Sequence, residues 1–305
     1  MEAVVIKSTG SWYWVRDQNG AVHNCRLKGK FKIQDLKVTN PIAVGDRVVV
    51  ELDQQQEASV ITKILPRKNY LIRTSVKHPD IGHILASNID QALLMATLKH
   101  PRTSLGFIDR FLVSAESFRI PVLLVFNKVD LLKSKQLAYL NELVDVYNSI
   151  GYTCLAISVT ESLGLKELHQ SLRNKVTLLA GHSGVGKSTL LNHLIPNLDQ
   201  KTAEVSTSIA KGKHTTTFAE MFEMEANSFI IDTPGIKELG LMEIGEEELS
   251  HYFPEMRAFL GACKFNNCTH THEPNCAITA ALNDQIPLSR YESYLSMLVN
   301  HDNRR

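Results

Sequence analysis

The residue pattern with the clearest chemistry is Gly181-His182-Ser183-Gly184-Val185-Gly186-Lys187-Ser188. It matches G-x-x-x-x-G-K-[ST] and lies between a strand-like run and an apolar helical segment, the context that this motif requires. Glycines let backbone N–H groups surround phosphates, and a helix that begins near Lys187 directs its positive end at them. We therefore expect Lys187 to neutralise the β- and γ-phosphates of a nucleotide and Ser188 to bind Mg²⁺ through its hydroxyl.

A second motif, Asn127-Lys128-Val129-Asp130, follows the apolar run at residues 121–126. It resembles the guanine-specificity motif N-K-x-D of the GTPase superfamily. The Asp130 carboxylate can accept hydrogen bonds from both the ring N–H and the exocyclic amine of guanine, whereas adenine lacks that pair of donors. Together with a phosphate-binding loop, this motif predicts that the ligand is a guanine nucleotide.

Two further segments are typical of GTPases. Asp232-Thr233-Pro234-Gly235 resembles D-x-x-G, in which Asp232 reaches Mg²⁺ through water and the Gly235 N–H senses the γ-phosphate. Residues 211–217 resemble switch I, in which a threonine ligates Mg²⁺ only while the γ-phosphate is present. We assign that role to Thr216, with Thr215 as the alternative, so the predicted magnesium-binding residues are Ser188, Thr216 and Asp232.

The motifs come in an unusual order. An ordinary GTPase domain begins with the phosphate-binding loop, whereas here the N-K-V-D motif and Ser158, in the position of the base-supporting loop, precede Gly181. The sequence therefore predicts a circular permutation, which can preserve a fold because domain termini often lie close together. The chain then leaves the domain just after Gly235, so the following residues are tied to an element that responds to hydrolysis.

The residue that activates the attacking water is less directly indicated. Many GTPases carry a glutamine just after D-x-x-G, but Ile236 stands here and cannot form a side-chain hydrogen bond. His214 is the nearest polar substitute and could orient or deprotonate water near neutral pH. The alternative for His214 is a solvated loop residue, and His182 is a second, weaker candidate. Lys187 and Thr216 complete the predicted catalytic set.

The predicted GTP-binding residues are Asn127, Lys128, Val129, Asp130, Ser158, Gly181, His182, Ser183, Gly184, Val185, Gly186, Lys187, Ser188, Thr189, Asp232 and Gly235.

Cysteine and histidine spacing predicts a metal site near the C-terminus. The segment Cys263-x4-Cys268-x-His270-x5-Cys276 offers three thiolates and one imidazole. This set fits a closed tetrahedral Zn²⁺ site, which would have a structural role. His272 is a rival for the imidazole ligand. Cysteines grouped in this way favour metal binding in a reducing compartment over a disulfide framework.

The first seventy residues consist of short β-rich runs separated by turn signals, which predicts a small β-barrel. Cations alternate with apolar residues along one run, so an extended strand places them on one face. These cations are Arg26, Lys28, Lys30 and Lys32. With the nearby Trp12, Tyr13 and Trp14, the barrel resembles an OB-fold that binds RNA. The alternative is that the charges keep an exposed strand soluble and the aromatic residues belong to the core.

The elements that position these motifs follow from the pattern of apolar residues. Helical spacing covers residues 107–118, 133–150 and 163–173, and strand-like runs cover residues 89–98, 121–126, 152–158, 176–180, 217–224 and 229–232. This alternation predicts a mostly parallel sheet with helices on both faces. Cys25 and Cys154 lie in strand-like runs, and we interpret them as core residues.

Composition limits the class of protein. The chain has 305 residues, of which 44% are hydrophobic and 21% charged, which excludes a disordered or coiled-coil protein. The sequence offers no apolar run that could span a bilayer and no signal-peptide pattern. The net charge of +1 divides into +5 for residues 1–73, zero for 74–236 and −4 for 237–305. The basic end is therefore the expected contact for a polyanion.

Together these features resemble the ribosome small subunit-dependent GTPase family, and the resemblance covers nearly the whole chain. The permuted motifs, the Cys/His segment and the barrel carry it, as do Arg67-Lys68-Asn69-Tyr70-Leu71-Ile72-Arg73 and Ala86-Ser87-Asn88-Ile89-Asp90. It implies a multidomain protein. Its parts are an all-β OB-fold barrel that binds RNA (1–73), an α/β circularly permuted P-loop GTPase domain (74–236) and a small, mostly α zinc-binding domain (237–305).

The resemblance also implies an activity and its partners. They are GTP hydrolysis stimulated by the small ribosomal subunit, and a cytoplasmic role in late maturation of that subunit, including release of assembly factors. The implied cofactors are GTP or GDP, Mg²⁺ and one structural Zn²⁺, and the expected partner of a monomeric protein is the small subunit with its rRNA. The family's zinc ligands carry over to Cys263, Cys268, His270 and Cys276, and its proposed catalytic histidine to His214.

Two rival interpretations remain open at this point. One is a GTPase switch that acts on a protein or membrane partner, with the barrel as a protein-binding module. The other is an RNA-binding protein that hydrolyses nothing and uses GTP only as a conformational ligand.

Overall fold

The computed structural model describes residues 1–28, 38–52, 58–74, 82–195, 198, 219–233 and 244–299. These residues form a β-barrel, then an α/β layer built on a large sheet, then a small helical unit. The predicted multidomain architecture is confirmed.

The described N-terminal residues form a closed barrel of five strands. The strands are β1 (Glu2–Ser8), β2 (Tyr13–Asp17), β3 (Val22–Leu27), β4 (Arg47–Glu51) and β5 (Ser59–Ile64). β1 pairs with both β2 and β4, and β3 runs parallel to β5, so the order closes as β1-β2-β3-β5-β4. Alternate side chains point inward, and Val5, Val15 and Cys25 are fully buried. This is the OB-like barrel that the sequence predicts.

A hairpin and a buried ion pair join the barrel to the α/β layer. β6 (Tyr70–Thr74) pairs with β7 (Gly82–Ser87), so the boundary predicted after residue 73 falls inside this hairpin. Asp46 is fully buried and accepts hydrogen bonds from Arg67 Nε and Nη2, each at 2.7 Å, and from Ser87 Oγ at 2.5 Å. Segments 67–73 and 86–90 carry part of the family resemblance. Through Arg67 and Ser87, both segments contact Asp46, and through β6 and β7 they contact each other.

The α/β layer is built on strands from both halves of the permuted domain. They are β8 (Gln91–Ala96), β9 (Val122–Phe126), β10 (Thr153–Ala156), β11 (Val176–Ala180), β12 (Glu220–Glu225) and β13 (Ser228–Asp232). Their order is β10-β9-β8-β11-β13-β12, and all neighbours are parallel except β12 with β13. The predicted mostly parallel sheet is confirmed, and its parallel strands end at one common edge.

Helices cover both faces of this sheet. They are α1 (Leu105–Ser117), α2 (Ser134–Ser149), α3 (Leu165–Leu172) and α4 (Lys187–Leu194). Neighbouring residues of β8 point to opposite faces, so Leu94 packs with α1 and α2 and Leu93 packs with α3 and α4. Within the described ranges, no helix is long and apolar enough to cross a membrane.

The C-terminal unit consists of short helices around a small core. They are a 3₁₀ helix (Leu249–Tyr252), α5 (Pro254–Arg257), α6 (Ala277–Ala280) and α7 (Leu288–Leu298). Val113 of α1 belongs to the same core. Arg290 of α7 is 1% exposed and donates to Glu255 at 2.7 Å and to Asp109 of α1 at 2.5 Å. The helical unit is therefore packed directly on the α/β layer through α1.

The barrel also contacts the edge of the large sheet. Lys7 of β1 pairs in register with Glu220 of β12, and its Nζ lies 2.9 Å from that carboxylate. Arg16 of β2 lies 2.8 Å from Glu223. β12 comes after the predicted switch I in the sequence. The barrel therefore contacts the strand that follows switch I.

Candidate functional site

The predicted nucleotide motifs meet at the carboxyl edge of the sheet. The phosphate-binding loop follows β11, the N-K-V-D motif follows β9, Ser158 follows β10 and Asp232 ends β13. In open α/β sheets, ligands bind in the crevice beyond these strand ends. The permuted chain therefore brings its motifs to one place despite their order.

Two glycines of the phosphate-binding loop make backbone approaches that a side chain would block. Gly181 has φ +141°, and a Cβ there would lie 2.3 Å from the Met95 carbonyl oxygen. Gly186 has φ +108°, and a Cβ there would lie 2.4 Å from Asn127 Nδ2. The loop is thus packed against β8 on one side and the N-K-V-D motif on the other, in a conformation that favours glycine.

Lys187 and Ser188 stand where the loop becomes helix α4. Lys187 Nζ donates to the carbonyl oxygens of Gly181, at 2.7 Å, and His182, at 2.8 Å. The ammonium group therefore lies inside the loop, where it can neutralise phosphate charge. Ser188 is exposed at the start of α4, so its hydroxyl is accessible to a ligand.

Asn127 connects three parts of the site. Its side chain is 5% exposed, and Nδ2 donates to the Val185 carbonyl oxygen at 2.8 Å. Oδ1 accepts from the Val159 N–H at 3.2 Å. The amide therefore holds the phosphate-binding loop and the loop after β10 at fixed positions. Because both halves of the amide are used, an aspartate at this position would lose the donor.

Lys128 fixes the outer side of the same loop. Its backbone is left-handed, with φ +66°, and Nζ donates to the carbonyl oxygens of Gly184, at 2.7 Å, and His100, at 2.6 Å. Asp130 follows on a short 3₁₀ helix (Val129–Leu131) and is exposed. The carboxylate predicted to select guanine is thus accessible to a base.

The loop after β10 is held by its own hydrogen bonds and by the N-K-V-D motif. Ser158 is fully buried, and its Oγ accepts from the Glu161 N–H at 3.2 Å. Val129 N donates to the Ile157 carbonyl oxygen, also at 3.2 Å. Ser158 therefore shapes the loop from inside.

Several predicted site residues lie outside the described residues. They are Gly235, Thr216 with its alternative Thr215, His214, Lys30 and Lys32. Asp232 is described, ends β13 and is 7% exposed.

Sequence reasoning missed the segment between β8 and α1, which closes on the phosphate-binding loop. A Cβ on Gly184 would lie 3.4 Å from Pro101 Cδ. The ring of Phe107, at the start of α1, lies 3.8 Å from the ring of His182, centroid to centroid. No local pattern marks either contact, since each joins residues that are far apart in the chain.

The four predicted zinc ligands form a compact cluster. The Sγ and Nδ1 atoms of Cys263, Cys268, His270 and Cys276 all lie within 4.8 Å of one another. Sγ of Cys263 and Sγ of Cys276 are 3.8 Å apart, and these atoms lie 3.6 and 3.5 Å from His270 Nδ1. Thiolates about 2.3 Å from a tetrahedral zinc ion are about 3.8 Å from each other. The donor set and its spacing therefore fit zinc.

The surroundings of the cluster suit a metal site. The Ala277 and Thr279 N–H groups point at the sulfurs of Cys263 and Cys276, at 3.4 and 3.5 Å, which stabilises thiolates. Burial lowers the pKa of His270 and so favours the neutral imidazole. The rival His272 is exposed and lies outside the cluster.

On the barrel, the structure separates the predicted aromatic residues. Tyr13 is 1% exposed and belongs to the core, whereas Trp12 and Trp14 are half-buried. The Arg26 guanidinium lies 3.9 Å from the centre of the Trp12 ring. Lys28 is exposed, with Nζ 3.4 Å from Glu51. A cation and an indole thus share one accessible patch of the barrel.

Comparison with known families matches two models to this chain. The model described as RsgA GTPase matches residues 64–242, and the model described as RsgA N-terminal domain matches residues 2–60. Together they cover the barrel, the hairpin and the nucleotide motifs.

Relatives and solved structures match over the full length. Proteins named small ribosomal subunit biogenesis GTPase RsgA are 50% identical in Bacteroides fragilis strain YCH46 (99% of this chain, 97% of the relative) and 51% identical in Cytophaga hutchinsonii (100% of both). The crystal structure of YjeQ from Thermotoga maritima matches with a TM-score of 0.77 and 34% identity, covering 100% of this chain and 99% of that one. YloQ, described as a circularly permuted GTPase, matches with a TM-score of 0.74 and 29% identity, covering 100% and 96%.

Proposed function

The chain belongs to the RsgA GTPase family, and on that premise we propose that it acts in the late maturation of the small ribosomal subunit. Family membership makes it a hydrolase of GTP. The observation that carries the proposal is the full-length match to relatives named for small-subunit biogenesis, which includes the barrel and the Cys/His cluster as well as the nucleotide motifs. We place the protein in the cytoplasm, with the subunit on which it acts, and propose that it is a monomer.

We propose these roles at the nucleotide site. Asp130 selects guanine, while Asn127 and Lys128 hold the loops that enclose the nucleotide. Lys187 neutralises the β- and γ-phosphates. Ser188, Thr216 and Asp232 hold Mg²⁺, which supplies charge neutralisation at the phosphates when bound. The Gly235 N–H senses the γ-phosphate, and His214 orients the attacking water.

We propose that Cys263, Cys268, His270 and Cys276 hold one structural Zn²⁺. The support is the donor set, its tetrahedral spacing and the N–H groups that point at two of the sulfurs. Since all four ligands come from the protein, the ion has no open position for a substrate. Its role is to stabilise residues 237–305, whose described apolar core is small.

We propose that the barrel, residues 1–73, contacts ribosomal RNA through the patch around Arg26 and Trp12. An arginine stacked on an indole presents a flat cationic surface on which a base or a phosphate can lie. Lys28, Lys30 and Lys32, the cations that alternate with apolar residues in the same segment of the sequence, are the further RNA contacts that we propose. Residues 74–236 form the GTPase domain between the barrel and the zinc domain.

We further propose that the subunit stimulates hydrolysis and that hydrolysis is coupled to release of assembly factors. The first part is tested by the GTPase rate with and without purified small subunits, and we expect an increase of at least about tenfold. A rate that subunits leave unchanged would contradict it. His214→Ala should remove the stimulated rate and keep nucleotide affinity; a normal rate in this variant would contradict the role of His214.

Subunit binding is tested separately by co-sedimentation. We expect more protein to sediment with small subunits in the presence of a non-hydrolysable GTP analogue than with GDP. Binding should weaken as salt rises, because phosphate contacts release counterions. Arg26→Ala should weaken binding, whereas the matched control Arg47→Ala, on an exposed ion pair with Glu2 on the same barrel, should not. Absence of sedimentation would favour a protein or membrane partner instead.

A further inference from the structure

The phosphate-binding loop carries an aromatic side chain that lies against a core helix. The rings of His182 and Phe107 have centroids 3.8 Å apart and planes inclined by 33°. Phe107 is 2% exposed, whereas His182 is half-buried. The loop is therefore held on this side by a side chain of its own.

Phe107 is fixed from the strand beside the loop. The Phe107 N–H donates to the Oγ of Ser104, the residue that caps α1, at 3.2 Å. The preceding Thr103 accepts, at Oγ1, a hydrogen bond of 3.1 Å from the Thr97 N–H. Thr97 directly follows β8, and β8 is paired with β11, the strand that leads into the loop. The ring of Phe107 is thus a rigid support for residue 182.

The contact occurs where the loop holds its lysine. Lys187 Nζ is bonded to the carbonyl oxygens of Gly181 and His182. The hydrogen bonds from Asn127 and Lys128 act on the backbone of the loop further along, at Val185 and Gly184. A shift of residue 182 would therefore move the carbonyl oxygen that accepts a hydrogen bond from Lys187, the lysine predicted to face the phosphates. The hydrogen bonds from Asn127 and Lys128 do not reach this residue.

We propose that His182 and Phe107 are positioning residues for the guanine nucleotide. Their stack fixes the amino-terminal part of the phosphate-binding loop in the conformation that receives the phosphates. His182 acts through its ring contact with Phe107, and no proton transfer is required of it. This inference rests on the proposed nucleotide site and adds to it a contact between a ring of the loop and a ring of α1.

The test measures dissociation constants of a fluorescent GDP analogue for the full-length protein, without ribosomal subunits. His182→Ala removes the stack and should raise the dissociation constant about two- to tenfold, the range for an aromatic pair. His182→Phe keeps an aromatic ring and should restore affinity to within about twofold of wild type. Phe107→Leu should weaken binding as His182→Ala does, and the double variant should be no weaker than the single ones, because both remove one contact.

Phe111→Leu is the matched control. Phe111 is 1% exposed on the same helix and lies in the same core cluster, but it has no ring contact with His182. This variant should lower the melting temperature and leave GDP affinity unchanged. If Phe111→Leu weakens binding as much as Phe107→Leu, general loss of packing explains the effect and the inference is overturned.

Two further outcomes would also overturn it. The first is wild-type affinity in His182→Ala. The second is a His182→Phe variant that binds GDP as weakly as His182→Ala, since an aromatic ring at position 182 would then not restore the contact. If Phe107→Leu does not fold, the two His182 variants decide alone, because they change a half-exposed loop residue. A wild-type protein that binds no guanine nucleotide would instead overturn the proposed function itself.

Discussion

The guanidinium of Arg290 donates to the carboxylate of Asp109 at 2.5 Å, although 181 positions separate the two residues in the chain. Each side chain is 1% exposed. Asp109 also accepts from the Tyr147 hydroxyl at 2.8 Å and from the Ser293 hydroxyl, while Arg290 reaches Glu255 at 2.7 Å. A helix of the GTPase domain and a helix of the C-terminal unit therefore share one buried set of charges.

Arg290→Met should strongly destabilise the protein, because it leaves two carboxylates buried without their cation. We expect a loss of about 3–5 kcal/mol in the free energy of unfolding, measured by urea denaturation followed by circular dichroism. The matched control is Arg257→Met, since Arg257 pairs with Glu116 at the surface, where the two side chains are 46% and 22% exposed. That change should cost about 0–1 kcal/mol. Equal losses in the two variants would show that burial of the charges is not the reason.

Asp130→Asn should move base preference from guanine towards xanthine. The carboxylate accepts from two guanine donors, whereas an amide can donate to the carbonyl group that xanthine carries in place of the exocyclic amine. We expect GDP affinity to fall by roughly 10²-fold or more and xanthosine diphosphate affinity to rise, as measured by competition binding. Asp145→Asn, on the exposed face of α2, is the control and should change neither affinity. Unchanged guanine selectivity in Asp130→Asn would disprove the assignment of the base site.

His270→Ala should reduce the zinc content of the purified protein, whereas His272→Ala should leave it at one ion per chain. The reason is geometric: His270 Nδ1 lies within 3.6 Å of two cysteine sulfurs, while His272 is exposed and outside the cluster. Atomic absorption gives the stoichiometry. Zinc loss in His272→Ala with retention in His270→Ala would reverse the ligand assignment.

Removal of zinc by a chelator should loosen the Cys/His segment and so expose Cys263, Cys268 and Cys276 to alkylation at pH 8, whereas Cys25 and Cys154 should stay unreactive. Burial raises the pKa of Cys25 to about 11 and that of Cys154 to about 12, so both remain thiols at pH 8, and a thiol is not the reactive form. Their reaction should become appreciable only as the pH approaches these values. Mass spectrometry of peptides after iodoacetamide treatment separates the two groups. Fast labelling of Cys25 or Cys154 in the folded protein would contradict these raised pKa values.

GDP binding should survive the same treatment. The residues that hold the phosphate-binding loop in place are Asn127 and Lys128, which are far from the Cys/His segment in sequence and in a different unit. We expect hydrogen exchange to increase in residues 244–299 while GDP affinity stays within about twofold of wild type. Loss of nucleotide binding together with zinc would contradict a separable zinc domain.

The sequence indicates where the phosphate-binding loop and the Cys/His cluster lie, because each depends on residue types within one short segment. The glycine positions of residues 181–186 follow from one motif, and the structure shows why: Gly181 and Gly186 have no room for a Cβ. The parallel sheet was predictable because its strands, such as β9 and β11, are continuous apolar runs between helical segments.

Contacts between residues that are far apart in the chain could not be predicted in the same way. Arg67 and Asp46 are 21 positions apart, and only the folded chain brings them into a buried pair. The same holds for Arg290 with Asp109, and for His182 with Phe107. A charged residue in a sequence is most often solvated, so a pattern of residue types alone does not indicate which ones will be buried together.

The permuted order of the sheet has a consequence for synthesis of the chain. Within the α/β layer, β8, β9 and β10 are made first, yet β8 is an inner strand whose second neighbour, β11, comes after α3 in the chain. Until residues 176–180 leave the ribosome, β8 presents a bare edge of apolar residues, and such edges pair readily with other chains. The segment predicted to read the base is thus made before the segment predicted to hold the phosphates. β11 must then add to the free edge of β8. Only after that step can the domain enclose a nucleotide.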